Sequence, residues 1–120
     1  MGDISKHFDR AEFACSCGCG FNTVDVSTLA MLEQVREHFD SAVMINSGCR
    51  CADYNRRIGG ATHSQHIYAR AADIRVSGVS PDTVHDFIDK VLLAGTGGLG
   101  RYNTFTHADT RSNGPARWSV

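Results

Sequence analysis

Three side chains in this sequence are of the kind that bind a divalent metal and are spaced so that a fold could gather them: His66, Asp73 and His107. Imidazole nitrogens and carboxylate oxygens are common protein donors to zinc. A catalytic zinc site takes three such donors and keeps a fourth position for water or substrate. The helical H-E-x-x-H pattern is absent, so the donors must come from separate segments. AADIRV, 71–76, alternates as a strand does: Ala71, Asp73 and Arg75 share one face, and Ala72, Ile74 and Val76 share the other. The second face is apolar and is expected to be core, which turns Asp73 to the polar face. In TFTHADT, 104–110, Phe105, His107 and Asp109 share a face, with His107 and Asp109 about 6–7 Å apart along the strand. If these strands are neighbours, Asp73 and His107 converge, and His66 arrives from the loop SQHIYARAAD, 64–73. The ordinary reading competes. The chain has six histidines, each of which could be a surface or hydrogen-bonding residue, and Asp73 could pair with Arg75 or Arg101. Spacing alone leaves both readings open.

The elements that would position these residues can be read along the chain. VSTLAMLEQVREHFD, 26–40, predicts a helix with Ser27 as N-cap and an apolar face of Leu29, Leu32, Val35 and Phe39, flanked by Met31. AVMIN, 42–46, predicts a short buried strand. A short helix over about 52–58 is closed by Gly59-Gly60. Ser80-Pro81-Asp82 opens another, with Ser80 as N-cap, Pro81 at the first helical position and Val84, Phe87, Ile88, Val91 and Leu92 on the inner face. Gly95, Gly97 and Gly98 break it. GLGRY and TFTHADT then read as two strands joined by a turn at Asn103. The expected fold is a single α+β domain over residues 1–120, with two or three helices packed on a small, mostly antiparallel sheet.

Composition narrows the function classes. With 42% hydrophobic and 21% charged residues, the chain has the balance of a globular protein. A formal net charge of -1 and no basic run longer than Arg56-Arg57 give no electrostatic reason to expect nucleic acid or an anionic membrane as partner. No apolar run approaches the roughly 18 residues needed to cross a bilayer. MGDISKHFDRAEF lacks the basic start and apolar core of a secretory signal, so synthesis in the cytoplasm is expected. The five cysteines lie in CSCGCG (Cys15, Cys17, Cys19) and CRC (Cys49, Cys51). Three readings stand for them: buried reduced thiols, disulfides joining Cys17 or Cys19 to Cys49 or Cys51, or a second, structural metal site.

Ser64, His66, Ala71 and Asp73 form S-x-H-x-x-x-x-A-x-D. This pattern closely resembles the first metal motif of the zinc D-Ala-D-Ala carboxypeptidase and peptidoglycan endopeptidase family, which shares its fold with the hedgehog signalling domain. SGCR, Ser47 to Arg50, resembles the family's upstream S-G-Y-R motif. GLGRYNTFTHADTR, followed by Trp118, resembles the segment carrying the last zinc histidine. The likeness spans about residues 5–118. It implies a hedgehog/DD-peptidase-like fold, Zn2+ held by His66, Asp73 and His107, and hydrolysis of peptidoglycan stem peptides. Arg50 would be the substrate-gripping and catalytic arginine, since guanidinium offers a two-pronged, permanently charged hold on a carboxylate or carbonyl. Ser64 would bind substrate or orient the loop. A monomer is expected, of phage or prophage type, cytoplasmic or virion-associated until released onto the cell wall.

Three positions depart from the pattern. Ala69 stands where the family often has Gly, and is strained if that position requires positive φ. Cys49 replaces a common Tyr, removing an aromatic wall. Many members carry an acid three residues before the last zinc histidine, whereas here that residue is Thr104. A metallopeptidase needs a group that accepts a proton from water and passes it on. Asp109 is the expected proton shuttle, with His63 as rival and a salt bridge to Arg111 as the competing role for Asp109. The missing acid also keeps a second class open: a zinc-stabilised cell-wall or peptide-binding module with little catalysis.

Overall fold

The computed structural model describes residues 2–120. Its strands are β1 (Val43–Ser47), β2 (Ala71–Val76), β3 (Gly98–Arg101), β4 (Thr106–Asp109) and β5 (Ala116–Ser119). They form one sheet in the order β1-β2-β4-β3-β5. All pairings are antiparallel except β3 with β5, which is parallel. The helices are α1 (Val26–Phe39), α2 (Ala52–Arg57) and α3 (Pro81–Phe87), with a 3-10 turn at Arg10–Phe13. The fold is thus the expected α+β arrangement on a mostly antiparallel sheet.

Alternation assigns the two faces of the sheet different work. Ala72, Ile74 and Val76 on β2, Ala108 on β4 and Leu99 on β3 join one apolar core with residues of α1 and α3, among them Leu32, Val35, Val84 and Ile88. The opposite face carries Asp73, His107 and Asp109. Thr28 of α1 is fully buried and ties the helix to the sheet edge: its hydroxyl donates to the Arg70 carbonyl at 2.9 Å and lies 2.7 Å from the Thr110 hydroxyl. No helix among the described residues is long and apolar enough to cross a membrane.

Several sequence expectations need correction. The α1 cap is Asp25, whose carboxylate accepts from the Ser27 N–H, rather than Ser27 itself. The first strand is shifted by one residue, to Val43–Ser47. Ser80 and Pro81 start α3 as expected, but the helix widens into a π-turn at Ile88–Leu93. The wider turn rotates every later side chain, so Val91 is 62% exposed and Leu93 is buried in its place. β5 has no counterpart in the sequence reading.

Two contacts yield tests. Ala94 ends the π-turn in the left-handed region at φ 49 and is exposed. There Ala94→Gly removes a Cβ clash without losing packing, and should raise stability by about 1 kcal/mol, measured by denaturant unfolding; an unchanged midpoint would count against strain at this cap. Near the N-terminus, the Glu33 carboxylate accepts from the Ser5 hydroxyl (2.5 Å) and the His7 N–H (2.7 Å), with the His7 ring at 2.6 Å. Burial alone would raise the Glu33 pKa, but the Ser5 and His7 hydrogen bonds outweigh it and hold it below the ordinary value. A depressed folded pKa adds stability that is fully present above the unfolded value of about 4.3 and lost as pH falls through the folded value. Glu33→Gln should therefore flatten the acid limb of the stability–pH curve; an identical acid limb would count against this contact.

Candidate metal centre

A single rung across the sheet assembles the site. Ser47 of β1 pairs with Asp73 of β2, and Asp73 with His107 of β4. His107 pairs with Gly100 of β3, and Gly100 with Trp118 of β5. Antiparallel partners on one face have their Cβ atoms about 5 Å apart, so the register alone brings the Asp73 carboxylate to the His107 ring. A bulge between Ile45 and Ser47 ends the regular β1 pairing beside Asp73.

His66 reaches the rung from the turn between α2 and β2. Its N–H donates to the Ser64 hydroxyl oxygen at 3.2 Å, and its carbonyl accepts from the Arg50 and Ala69 N–H groups. Ala69 has φ 58 and is buried, so this position does require the left-handed conformation that favours glycine. His66 Nδ1 lies 2.7 Å from the Gly48 carbonyl. A carbonyl only accepts, so Nδ1 carries the proton and the Nε2 lone pair faces Asp73.

His107 is arranged the same way with its nitrogens exchanged. Nε2 lies 2.7 Å from Asp109 Oδ2, and Nδ1 lies 2.9 Å from Asp73 Oδ1. Asp109 is fully buried, and Arg111 donates to it through the backbone N–H, Nε and Nη2. Burial alone would raise the Asp109 pKa, but the Arg111 and His107 hydrogen bonds hold it well below the usual carboxylate range. An ionised Asp109 holds a proton on Nε2, so a metal would bind at Nδ1 and displace the proton that Nδ1 shares with Asp73. Asp73 is likewise held well below that range, with His107 and His66 overcoming desolvation. For His107 burial works against the charged form, and the Asp109 and Asp73 contacts outweigh it and raise the pKa.

The donor set fits a small tetrahedral cation. His66 Nε2 and His107 Nδ1 lie 3.3 and 2.9 Å from Asp73 Oδ1, and all three donor atoms are within 4.8 Å of one another. Donors bonded at about 2.0 Å to a tetrahedral zinc stand about 3.3 Å apart. Two imidazoles and one carboxylate also match the ligand chemistry of a catalytic zinc. Arg50 sits at the edge of the group, its Nη2 3.5 Å from Asp73 Oδ2, its Nε 3.3 Å from the Ser47 hydroxyl and its Nη1 3.3 Å from Asn55 Oδ1.

The other expected residues fall elsewhere. Ser64 serves the turn through its bond to the His66 N–H. Thr104 is exposed in the β3–β4 connection, and His63 is exposed in the turn. Cys49 is buried and its Sγ points to the Phe13 and Phe21 carbonyls at 3.1 and 3.3 Å, away from any aromatic-wall position. The aromatic surface beside His107 comes instead from Trp118, with ring centroids 4.9 Å apart. Trp118 Nε1 donates to the Tyr102 hydroxyl at 3.0 Å, and Tyr102 stacks on Phe105 at 4.3 Å. A Cβ on Gly100 would stand 2.5 Å from the indole, so glycine there is what admits Trp118 to the rung. A Cβ on Gly98 would collide with the Asp109 carboxylate. The part the sequence reading missed is therefore the support from Gly98, Gly100 and Tyr102, whereas the salt bridge of Asp109 to Arg111, expected as the competing role for Asp109, is present. Only the adjacency of HADTR to a glycine-bearing strand hinted at that support.

A family model described as Peptidase M15 matches residues 6–109. No curated protein matches the chain.

The His107–Asp109–Arg111 chain yields a test with a readout other than turnover. Asp109→Asn, which weakens the grip on Nε2–H, should lower zinc affinity about 10- to 100-fold, measured by competition with a chromophoric chelator. Unchanged affinity would show that His107 needs no such orientation.

Proposed function

The chain belongs to the Peptidase M15 family, and from that premise we propose that it is a zinc-dependent peptidase cleaving the stem peptides of peptidoglycan, as a D-Ala-D-Ala carboxypeptidase or a murein endopeptidase. The observation that carries this reading is the convergence of His66, Asp73 and His107 on one rung, with Arg50 at its rim. A zinc ion held by these three residues would supply Lewis acidity toward the scissile carbonyl and toward water.

The chain's own groups supply the rest. His66 would present Nε2 and His107 Nδ1 to the ion, because the Gly48 carbonyl and Asp109 hold the protons on their far sides. Arg50 is held by long contacts to Ser47, Asn55 and Asp73, which leave further guanidinium N–H groups for a substrate carboxylate or a developing oxyanion. Asp109 is enclosed by His107 and Arg111 and can influence proton movement only through the His107 imidazole. This makes it a positioning residue rather than the open shuttle that sequence spacing suggested. The side chains of Trp118, Tyr102 and Phe105 offer a partly exposed aromatic surface beside the site, suited to the apolar flanks of a short peptide.

The test uses the metal-loaded protein on purified cell walls and on synthetic stem peptides, with products identified by mass spectrometry. Cleavage should be abolished by a chelator, restored by zinc, and reduced at least about 1,000-fold in His107→Ala. Arg50→Lys keeps the charge but loses the fork, and should lower kcat/KM about 10-fold or more. A zinc-loaded protein that binds walls and cuts nothing would overturn the peptidase reading in favour of a zinc-stabilised binding module. The absence of an acid at Thr104 is the feature that favours that second reading.

A further inference from the structure

A second group of donors converges away from the His66–Asp73–His107 rung. Cys15, Cys17, Cys19 and Cys51 bring four sulfurs within 4.8 Å of one another. Three of the separations are 3.5 Å (Cys15–Cys17), 3.6 Å (Cys17–Cys51) and 3.9 Å (Cys15–Cys51). Four thiolates bonded to one zinc at about 2.3 Å stand about 3.8 Å apart, the edge of the tetrahedron. The observed separations bracket that edge. We propose that Cys15, Cys17, Cys19 and Cys51 form a structural four-thiolate zinc site, distinct from the His66–Asp73–His107 centre.

Local structure supports this set of four. C-x-C-x-C can wrap one ion only if the chain reverses sharply between ligands. Gly18, between Cys17 and Cys19, does this at φ 80, and Gly20 turns the chain away after Cys19 at φ 94; a built Cβ at either would meet no other atom within 4 Å. Glycine is therefore used there for its backbone freedom and not for space. The loop is closed by the Cys15 N–H donating to the Phe21 carbonyl at 2.7 Å and the Gly18 N–H donating to the Cys15 carbonyl at 3.2 Å. Two backbone N–H groups already point at the sulfurs: that of Cys51 at Cys15 Sγ and that of Tyr54 at Cys51 Sγ, both at 3.4 Å. Such donors help carry the negative charge that a thiolate site accumulates. The fifth cysteine, Cys49, lies apart with its Sγ on two carbonyls, so the odd count divides into four ligands and one buried thiol.

Thiolates this close repel one another unless a cation lies among them, and soft sulfur donors with no open position select a closed structural zinc site. Binding exchanges S–H bonds for Zn–S bonds and releases the thiol protons to solvent, so no oxidant is needed. The site would clamp residues 15–19 onto the segment that supplies Arg50 and the Gly48 carbonyl, which holds His66. It would thus brace one wall of the other centre without taking part in its chemistry.

The test is cobalt substitution of the full chain, read by absorption and independent of any peptidase activity. Wild type should take up about two cobalt ions and show an intense thiolate-to-cobalt charge-transfer band. His66→Ala/His107→Ala should keep that band and lose the other ion. Cys17→Ser/Cys19→Ser should lose the band and keep the ion at the histidine centre, which also shows that the variant is folded. A wild-type spectrum without the charge-transfer band, a band that survives in the cysteine variant, or disulfides among these cysteines by mass spectrometry of protein isolated under reducing conditions without removal of metal would overturn the proposal.

Discussion

The pairing register of β2 against β4 is the constraint on which the site depends. Side chains alternate with period two, so a slip of one residue would put Asp73 opposite a neighbour of His107 and turn one donor into the core. The register is held from the other face. Ile74 and Ala72 on β2 and Ala108 on β4 are almost fully buried, and exposing them would remove much of the apolar contact that joins the sheet to α1 and α3. The hydrophobic effect thus fixes, at ångström scale, the positions of groups it never touches. β3 contributes by omission: its two glycines leave room on the site face for the Asp109 carboxylate on one rung and the Trp118 indole on the next.

Much of this is legible in the chain. Alternation in AADIRV and THADT places Asp73, His107 and Asp109 on shared faces, and β2 occupies the expected residues 71–76. Ala69, standing at a position where the motif often has glycine, does adopt positive φ. What is not legible has physical reasons. β5 reads ARWS, with intermediate and exposed positions in alternation and no apolar run, so only its parallel pairing with β3 reveals it as a strand. The inner face of α3 departs from expectation after Ile88 because a π-turn does not follow the 3.6-residue period. Asp25 and Ser27 are both good caps, and only tertiary context chooses between them. The Asp109–Arg111 pair is legible as a salt bridge of near neighbours, but the buried hydrogen bond from Asp109 to His107 Nε2 depends on the fold.

Two kinds of support meet at the segment from Ser47 to Cys51. From one side it touches the metal rung through Ser47, Gly48 and Arg50; from the other it touches the cysteine cluster through Cys51. Cys49 between them anchors on the Phe13 and Phe21 carbonyls. This irregular backbone is held at almost every position, although loops usually follow the solvent-facing surface and move. A rigid mount of this kind keeps the His66 ring and the Arg50 guanidinium at a constant offset from the sheet.

The rung also has a kinetic meaning. Its members, Ser47, Asp73, His107, Gly100 and Trp118, come from strands scattered along the sequence, and none pairs with a near neighbour in the chain except across the β3–β4 turn. Contacts of such large sequence separation form slowly, because the entropy of closing each long loop is lost before the pairing rewards it. His66 and Asp73 lie close in the chain, but His107 joins them only when β2 has paired with β4, so the entropy of closing that connection sets when the donor set comes together.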